Sequence, residues 1–120
     1  MEANLWGTLD DERYSDTCEL WRRAGSYRYE LKAKGAGALR FVAEAHHPLG
    51  GPGAEAGGEW RAIEQASRVE GGKLRSSTMV VPDVRLSPSV SADFVRIRLS
   101  FSRIAGGAAV AYEFSMRPAA

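Results

Sequence analysis

A chain of 120 residues suits a single domain that is long enough to enclose a real core and too short for two ordinary ones. Its 16 basic and 15 acidic residues leave a net charge of +1, so no global field recruits nucleic acid or an anionic membrane, and the single cysteine, Cys18, excludes an internal disulfide. No apolar run approaches the roughly 20 residues of a membrane span, and the opening Met1-Glu-Ala-Asn-Leu-Trp6 lacks the basic-then-apolar start of a signal peptide, so use in the cytoplasm, or in a particle assembled there, is expected.

Residues 1–16 are acidic, with Glu2, Asp10, Asp11, Glu12 and Asp16 against Arg13 alone, and carry Leu5, Trp6 and Leu9 as isolated apolar anchors. They read as an extended N-terminal arm ahead of a domain at 17–120, with a short strand at 4–9. That strand fits either an edge of the same domain or an arm reaching a neighbouring subunit. Removing the arm is expected to leave the fold intact. Residues 17–23 place Cys18, Leu20 and Arg22 on one face and Glu19, Trp21 and Arg23 on the other. Trp21, opposite Leu20, is therefore expected to be exposed and to contact a partner.

Residues 27–34 alternate cleanly, with Tyr27, Tyr29, Leu31 and Ala33 inward and Arg28, Glu30, Lys32 and Lys34 outward. Polar residues on the outer side indicate an antiparallel sheet with one face in water. Gly35-Ala-Gly37 is a turn, and residues 38–45 form the next strand, expected to pair with 27–34 as a hairpin. From His46 to Glu59 the periodicity disappears into a glycine- and proline-rich loop, whose length implies function or mobility. Residues 60–65 resume as a strand with Trp60 expected in the core, 67–75 read as a turn around Gly71-Gly72, 77–81 as a strand, and 84–86 as a short one. Finally Val95, Ile97, Leu99 and Phe101 alternate with Arg96, Arg98, Ser100 and Ser102. A second arm follows with Val110, Tyr112, Phe114 and Met116 on one side. Gly106-Gly107 lies between the arms, which predicts a long antiparallel hairpin with eight inward apolar side chains.

Eight to nine strands without any helical periodicity, punctuated by glycine and proline, predict an all-β chain: one antiparallel β-sandwich or jelly roll with an extended N-terminal arm. The inventory of reactive groups points away from catalysis. His46 and His47 are adjacent, so on extended backbone they point apart and do not share a metal ion, and no further His or second Cys completes a zinc site. There is no Gly-x-Ser-x-Gly elbow, and the acidic pair Asp10-Asp11 sits in the arm. No enzyme, metal or cofactor is expected. The outward Arg96 and Arg98 read as a solvated face or as partners for acidic residues of a neighbouring copy, such as the arm at 10–12. Nucleic acid is not expected, because aromatic side chains do not interleave with these arginines in the sequence.

The order of a tyrosine-rich strand, Gly58-Glu-Trp60-Arg-Ala-Ile63, a polar turn, and Phe94-Val-Arg-Ile-Arg-Leu99 before Gly-Gly and a final apolar strand resembles the small β-sandwich domains of tailed-bacteriophage virions, over about residues 27–116. The loop at 46–59 and the acidic arm have no counterpart in that pattern. The resemblance implies a non-enzymatic virion protein, assembled in the host cytoplasm, that decorates or cements the capsid shell. Its implied partners are the major capsid protein or another virion protein and copies of itself, a homotrimer among them, with no nucleic acid or membrane. Leu5, Trp6, Leu9, Asp10, Asp11, Trp21, Arg96 and Arg98 are the expected contact residues, and repeated weak contacts would supply avidity. The alternative is a tail or neck accessory, or a glycan- or receptor-binding module using Trp21, tyrosine residues and the glycine-rich loop.

Overall fold

The computed structural model describes residues 3–10, 15–48, 58–87, 90–104 and 108–119. Among the described residues ten strands follow one another: β1 Ala3–Leu9, β2 Ser15–Arg22, β3 Gly25–Gly35, β4 Ala38–His47, β5 Glu59–Glu70, β6 Leu74–Val81, β7 Arg85–Ser87, β8 Val90–Ser91, β9 Val95–Arg103 and β10 Val110–Pro118. Eight of them build two four-stranded antiparallel sheets, ordered β1-β10-β3-β6 and β2-β9-β4-β5, and β7 and β8 form a small separate ribbon. The all-β sandwich expected from the alternation is the architecture observed.

The inward rows make the core. All eight side chains assigned inward on β9 and β10 are buried, as are Tyr27, Tyr29, Leu31 and Ala33 on β3 and Leu39, Phe41 and Ala43 on β4. At its centre Phe41 lies 5.2 Å from Tyr29 and 5.3 Å from Phe114, ring centre to ring centre, and Phe101 stacks on Tyr112 at 4.2 Å. These ring contacts join the two sheets, each pair gaining beyond its simple area burial.

The expected hairpins are not hairpins. β9 pairs with β2 and β4, β10 pairs with β1 and β3, and so the two arms lie in opposite sheets with their apolar rows facing each other across the core. The same holds for β3 and β4, which belong to different sheets despite the two-residue link between them. An arch that crosses from sheet to sheet and a hairpin within one sheet show identical period-2 alternation. The arch wins because each inward row then covers the other, whereas a hairpin leaves both rows in need of a third layer. Of the connections between the eight main strands, only that between β4 and β5 joins neighbours in one sheet.

Three crossing connections meet at one end of the sandwich. Gly71 donates its backbone N–H to the Gly37 carbonyl at 2.7 Å, and Gly37 donates to Ala109 at 3.3 Å. A Cβ on Gly71 would collide with the Gly35 carbonyl oxygen, so glycine is what lets these turns approach one another. The turn expected at 67–75 shrinks accordingly to Gly71–Lys73, because β5 runs on to Glu70.

Of the two readings of the strand expected at 4–9, an edge of the same domain or an arm onto a neighbouring subunit, the edge is observed. β1 pairs with β10 along its whole length, from Ala3 opposite Met116 to Leu9 opposite Val110, and Leu9 is fully buried. Asp16 belongs to β2 and accepts a hydrogen bond from the Tyr112 hydroxyl at 2.8 Å. Leu9 is therefore a core residue rather than a contact for a neighbour. Its alternation with Ala3, Leu5 and Gly7 is what the edge of a half-buried sheet requires.

Candidate functional site: an aromatic and arginine face

The second sheet carries its polar and aromatic residues on the outside in register. Trp21 on β2 stands opposite Arg96 on β9, and one row further Glu19 stands opposite Arg98, which in turn stands opposite Glu44 on β4. On the far edge His46 of β4 pairs with Trp60 of β5. Four strands thus bring together residues that lie up to 79 positions apart in the chain, from Glu19 to Arg98.

Trp60 is the centre of this arrangement. The Arg98 guanidinium carbon sits 4.2 Å from the centre of the indole and that of Arg96 5.1 Å from it, within cation–π range. The His46 ring lies tilted against the same indole at 5.1 Å. Arg98 also donates from Nε to the Glu44 carboxylate at 3.1 Å, and Arg96 approaches Glu19 at 3.8 Å. Further along, Arg23 lies 5.0 Å over the ring of Phe94, which is exposed at the start of β9. Trp21 projects at 59 % exposure. The Arg96 and Arg98 guanidiniums thus each lie between an indole face and a carboxylate, which orients them.

Two expectations are corrected here. Trp60 is not a core residue: it is half-buried on the outer face. The register between β4 and β5 slips between Ala43 and Glu44 and again between Leu39 and Phe41, so the parity read forward from Trp60 does not survive. Ile63, inside the first of these irregularities, packs against the core, and Ala66 and Val69, on either side of the second, are buried. Aromatic and arginine side chains do interleave, through tertiary pairing that adjacency in the sequence does not show. Within the chain these arginines meet Glu19 and Glu44 of their own sheet.

His46 and His47 lie in β4 and do not open a loop; the rest of the glycine-rich stretch, 49–57, is outside the described residues. Burial, and then the nearby Arg61, push the His47 imidazole below its ordinary value. Of the expected contact residues at the N-terminus, Leu5 is half-buried against the core, Trp6 is 76 % exposed and Asp10 is exposed, while Asp11 is outside the described residues. Trp6 belongs to the outer face of the first sheet, opposite the face holding Trp21. No group of three or more His, Cys, Asp and Glu side chains converges among the described residues.

No family model matches the chain, and no curated protein matches it by sequence. Solved structures do. The mitogen derived from Yersinia pseudotuberculosis is similar over 98 % of this chain and 86 % of its own, with 11 % identity and a TM-score of 0.51. PirA is similar over 93 % of this chain and 90 % of its own, with 13 % identity and a TM-score of 0.50. The periplasmic inhibitor of g-type lysozyme from Aeromonas hydrophila covers 96 % of this chain and 83 % of its own at 18 % identity, with a TM-score of 0.47. At such identities the likeness is one of fold. None of the three is named as a virion protein.

Proposed function

We propose that this chain is a non-enzymatic binding protein that docks on a larger protein assembly through the outer face of its second sheet. The virion surface that the sequence resemblance implies is the assembly this reading takes. The observation that carries it is the clamping of Arg96 and Arg98 between the Trp60 indole and the carboxylates of Glu19 and Glu44, beside the projecting Trp21. Tryptophan and arginine in a preorganised patch are the residues that dominate protein interfaces. Glu19 and Glu44 offset the two central arginines, which weakens any pull on a phosphate backbone. Trp60 presents its ring to two guanidiniums and an imidazole, an arrangement that leaves little open plane for a sugar. A repeated surface would multiply a modest single contact.

The test is sedimentation of the source lysate through a density gradient, with this chain detected in every fraction, followed by adding purified protein to stripped particles. Co-sedimentation with large particles at shell-like copy number is expected, and Trp21→Ala together with Arg98→Ala is expected to lower particle occupancy at least ten-fold without changing the melting temperature by more than a few degrees. A chain that stays at the top of the gradient as a small species ends this reading. A few copies per particle would turn it toward a tail or neck position.

A further inference from the structure

We propose that the outer face of the first sheet, on the opposite side of the molecule, binds a short acidic oligosaccharide, with a sugar carboxylate held between Arg28 and Arg117 and the following rings laid along the strands toward Trp6. Two adjoining hollows of about 420 and 340 Å³ run there, and they share Asn4, Glu30 and Ser115. The register explains their shape. Asn4, Ser115, Glu30 and Ser76 form one row across β1, β10, β3 and β6, mostly of short side chains, so the sheet surface is low at this row.

The rows on either side stand higher and differ in chemistry. On one side Thr78, Arg28 and Arg117 lie in line. Arg28 and Arg117 are directly opposed cross-strand neighbours of like charge, an unfavourable pairing by itself. Neither has a salt-bridge partner among the described residues, and both line the larger hollow. A carboxylate between the two forks would take paired, charge-assisted hydrogen bonds and relieve the repulsion. On the other side Trp6, Glu113, Lys32 and Leu74 form the row, with Trp6 at 76 % and Leu74 at 59 % exposure. From Arg117 to Glu113 the strand runs about 14 Å at roughly 3.4 Å per residue, room for several linked rings.

The ligand class follows from this combination. Four basic groups on the face, Arg28, Lys32, Lys34 and Arg117, stand against Glu30 and Glu113, and Lys34 is occupied by Glu113 at 2.5 Å, so the hollow favours an anion. Between the charged end and the indole, the Asn4 amide, the Ser76 and Ser115 hydroxyls and the Glu30 carboxylate offer the mixed donors and acceptors that sugar hydroxyls require. Trp6 supplies an open apolar plane with a polar edge. All these groups stand on regular strands, which fixes their spacing.

The carboxylate-bearing pyranose has two common sources, a uronate polymer or a terminal sialic acid, and the experiment separates them. Calorimetric titration of the full chain at low salt uses trigalacturonate and sialyllactose as probes, with galactotriose and lactose as their neutral counterparts. At least one acidic probe is expected to bind ten-fold or more tightly than its neutral counterpart, and which one does so identifies the source. Replacing both arginines, Arg28→Gln and Arg117→Gln, is expected to abolish that preference, and Trp6→Ala to weaken binding several-fold. All three positions are exposed, so unchanged circular dichroism will accompany these variants. Absence of binding by both acidic probes, equal affinity for acidic and neutral sugars, or full retention of the preference in the double arginine variant would each overturn the proposal.

Discussion

Single side chains show how little the outer residues resemble one another despite similar spacing. His46 and His47 are neighbours in sequence and opposite in fate: one imidazole lies on an indole in the outer row, and the other is held below its ordinary titration value by burial and by Arg61. A depressed histidine pKa means that the unfolded chain binds the proton more readily. Stability from His47 is therefore complete above the unfolded value of about 6.5 and is lost as pH falls through the lower folded value. Urea midpoints measured from about pH 8 down to about pH 5 should fall less in His47→Gln than in the parent chain. Over that range Glu113, whose carboxyl is held below the ordinary carboxylate value by the hydrogen bond from Lys34, stays ionised and does not confuse the comparison. Equal falls in both proteins would remove His47 as the group responsible. Trp60 has the same parity as the buried Ala66 yet faces outward, because a register shift that no local pattern announces lies between them.

At the scale of elements, the strand interiors follow from alternation and the connections do not. β9 and β10 were legible residue by residue, since hydrophobic side chains every second position can only make a strand with one buried face. What joins them was not legible, because glycine serves a hairpin and an arch alike. The packed turns at Gly35 to Gly37 and at Gly71 show the constraint that the arches impose. Gly71→Ala would force its Cβ into the Gly35 carbonyl, a backbone atom that cannot swing aside. A loss of about 1–3 kcal/mol is expected, as for other overpacked sites, and is read from the shift in urea midpoint at unchanged slope. An unchanged midpoint would show that the three crossing connections do not constrain one another.

The molecule as a whole closes its first sheet with β1, so the N-terminal strand belongs to the fold as much as any other edge. Removing residues 1–9 would uncover the β10 edge, delete the fully buried Leu9 and leave the aromatic core open on that side. The shortened chain is expected to lose its cooperative thermal transition and to elute as aggregate on gel filtration. A truncated protein that melts like the parent would make β1 a detachable arm after all. The acidic count of that segment favoured an arm, yet the alternation of Ala3, Leu5, Gly7 and Leu9 carried the opposite information.

The amino-acid order alone determined the class and the buried rows, because alternation and burial are local consequences of strand geometry. It placed Trp21 outside and the apolar residues of β9 and β10 inside. Only the tertiary structure decided which strands are neighbours, and with that which side chains meet. Both candidate faces depend on it. Trp60 reaches Arg96 and Arg98 across β4, and Arg28 comes to stand opposite Arg117 only once β3 and β10 pair. Strand pairing is a non-local event whose partners share the same local pattern, so the core is written in short-range order while the surface sites are written in the pairing.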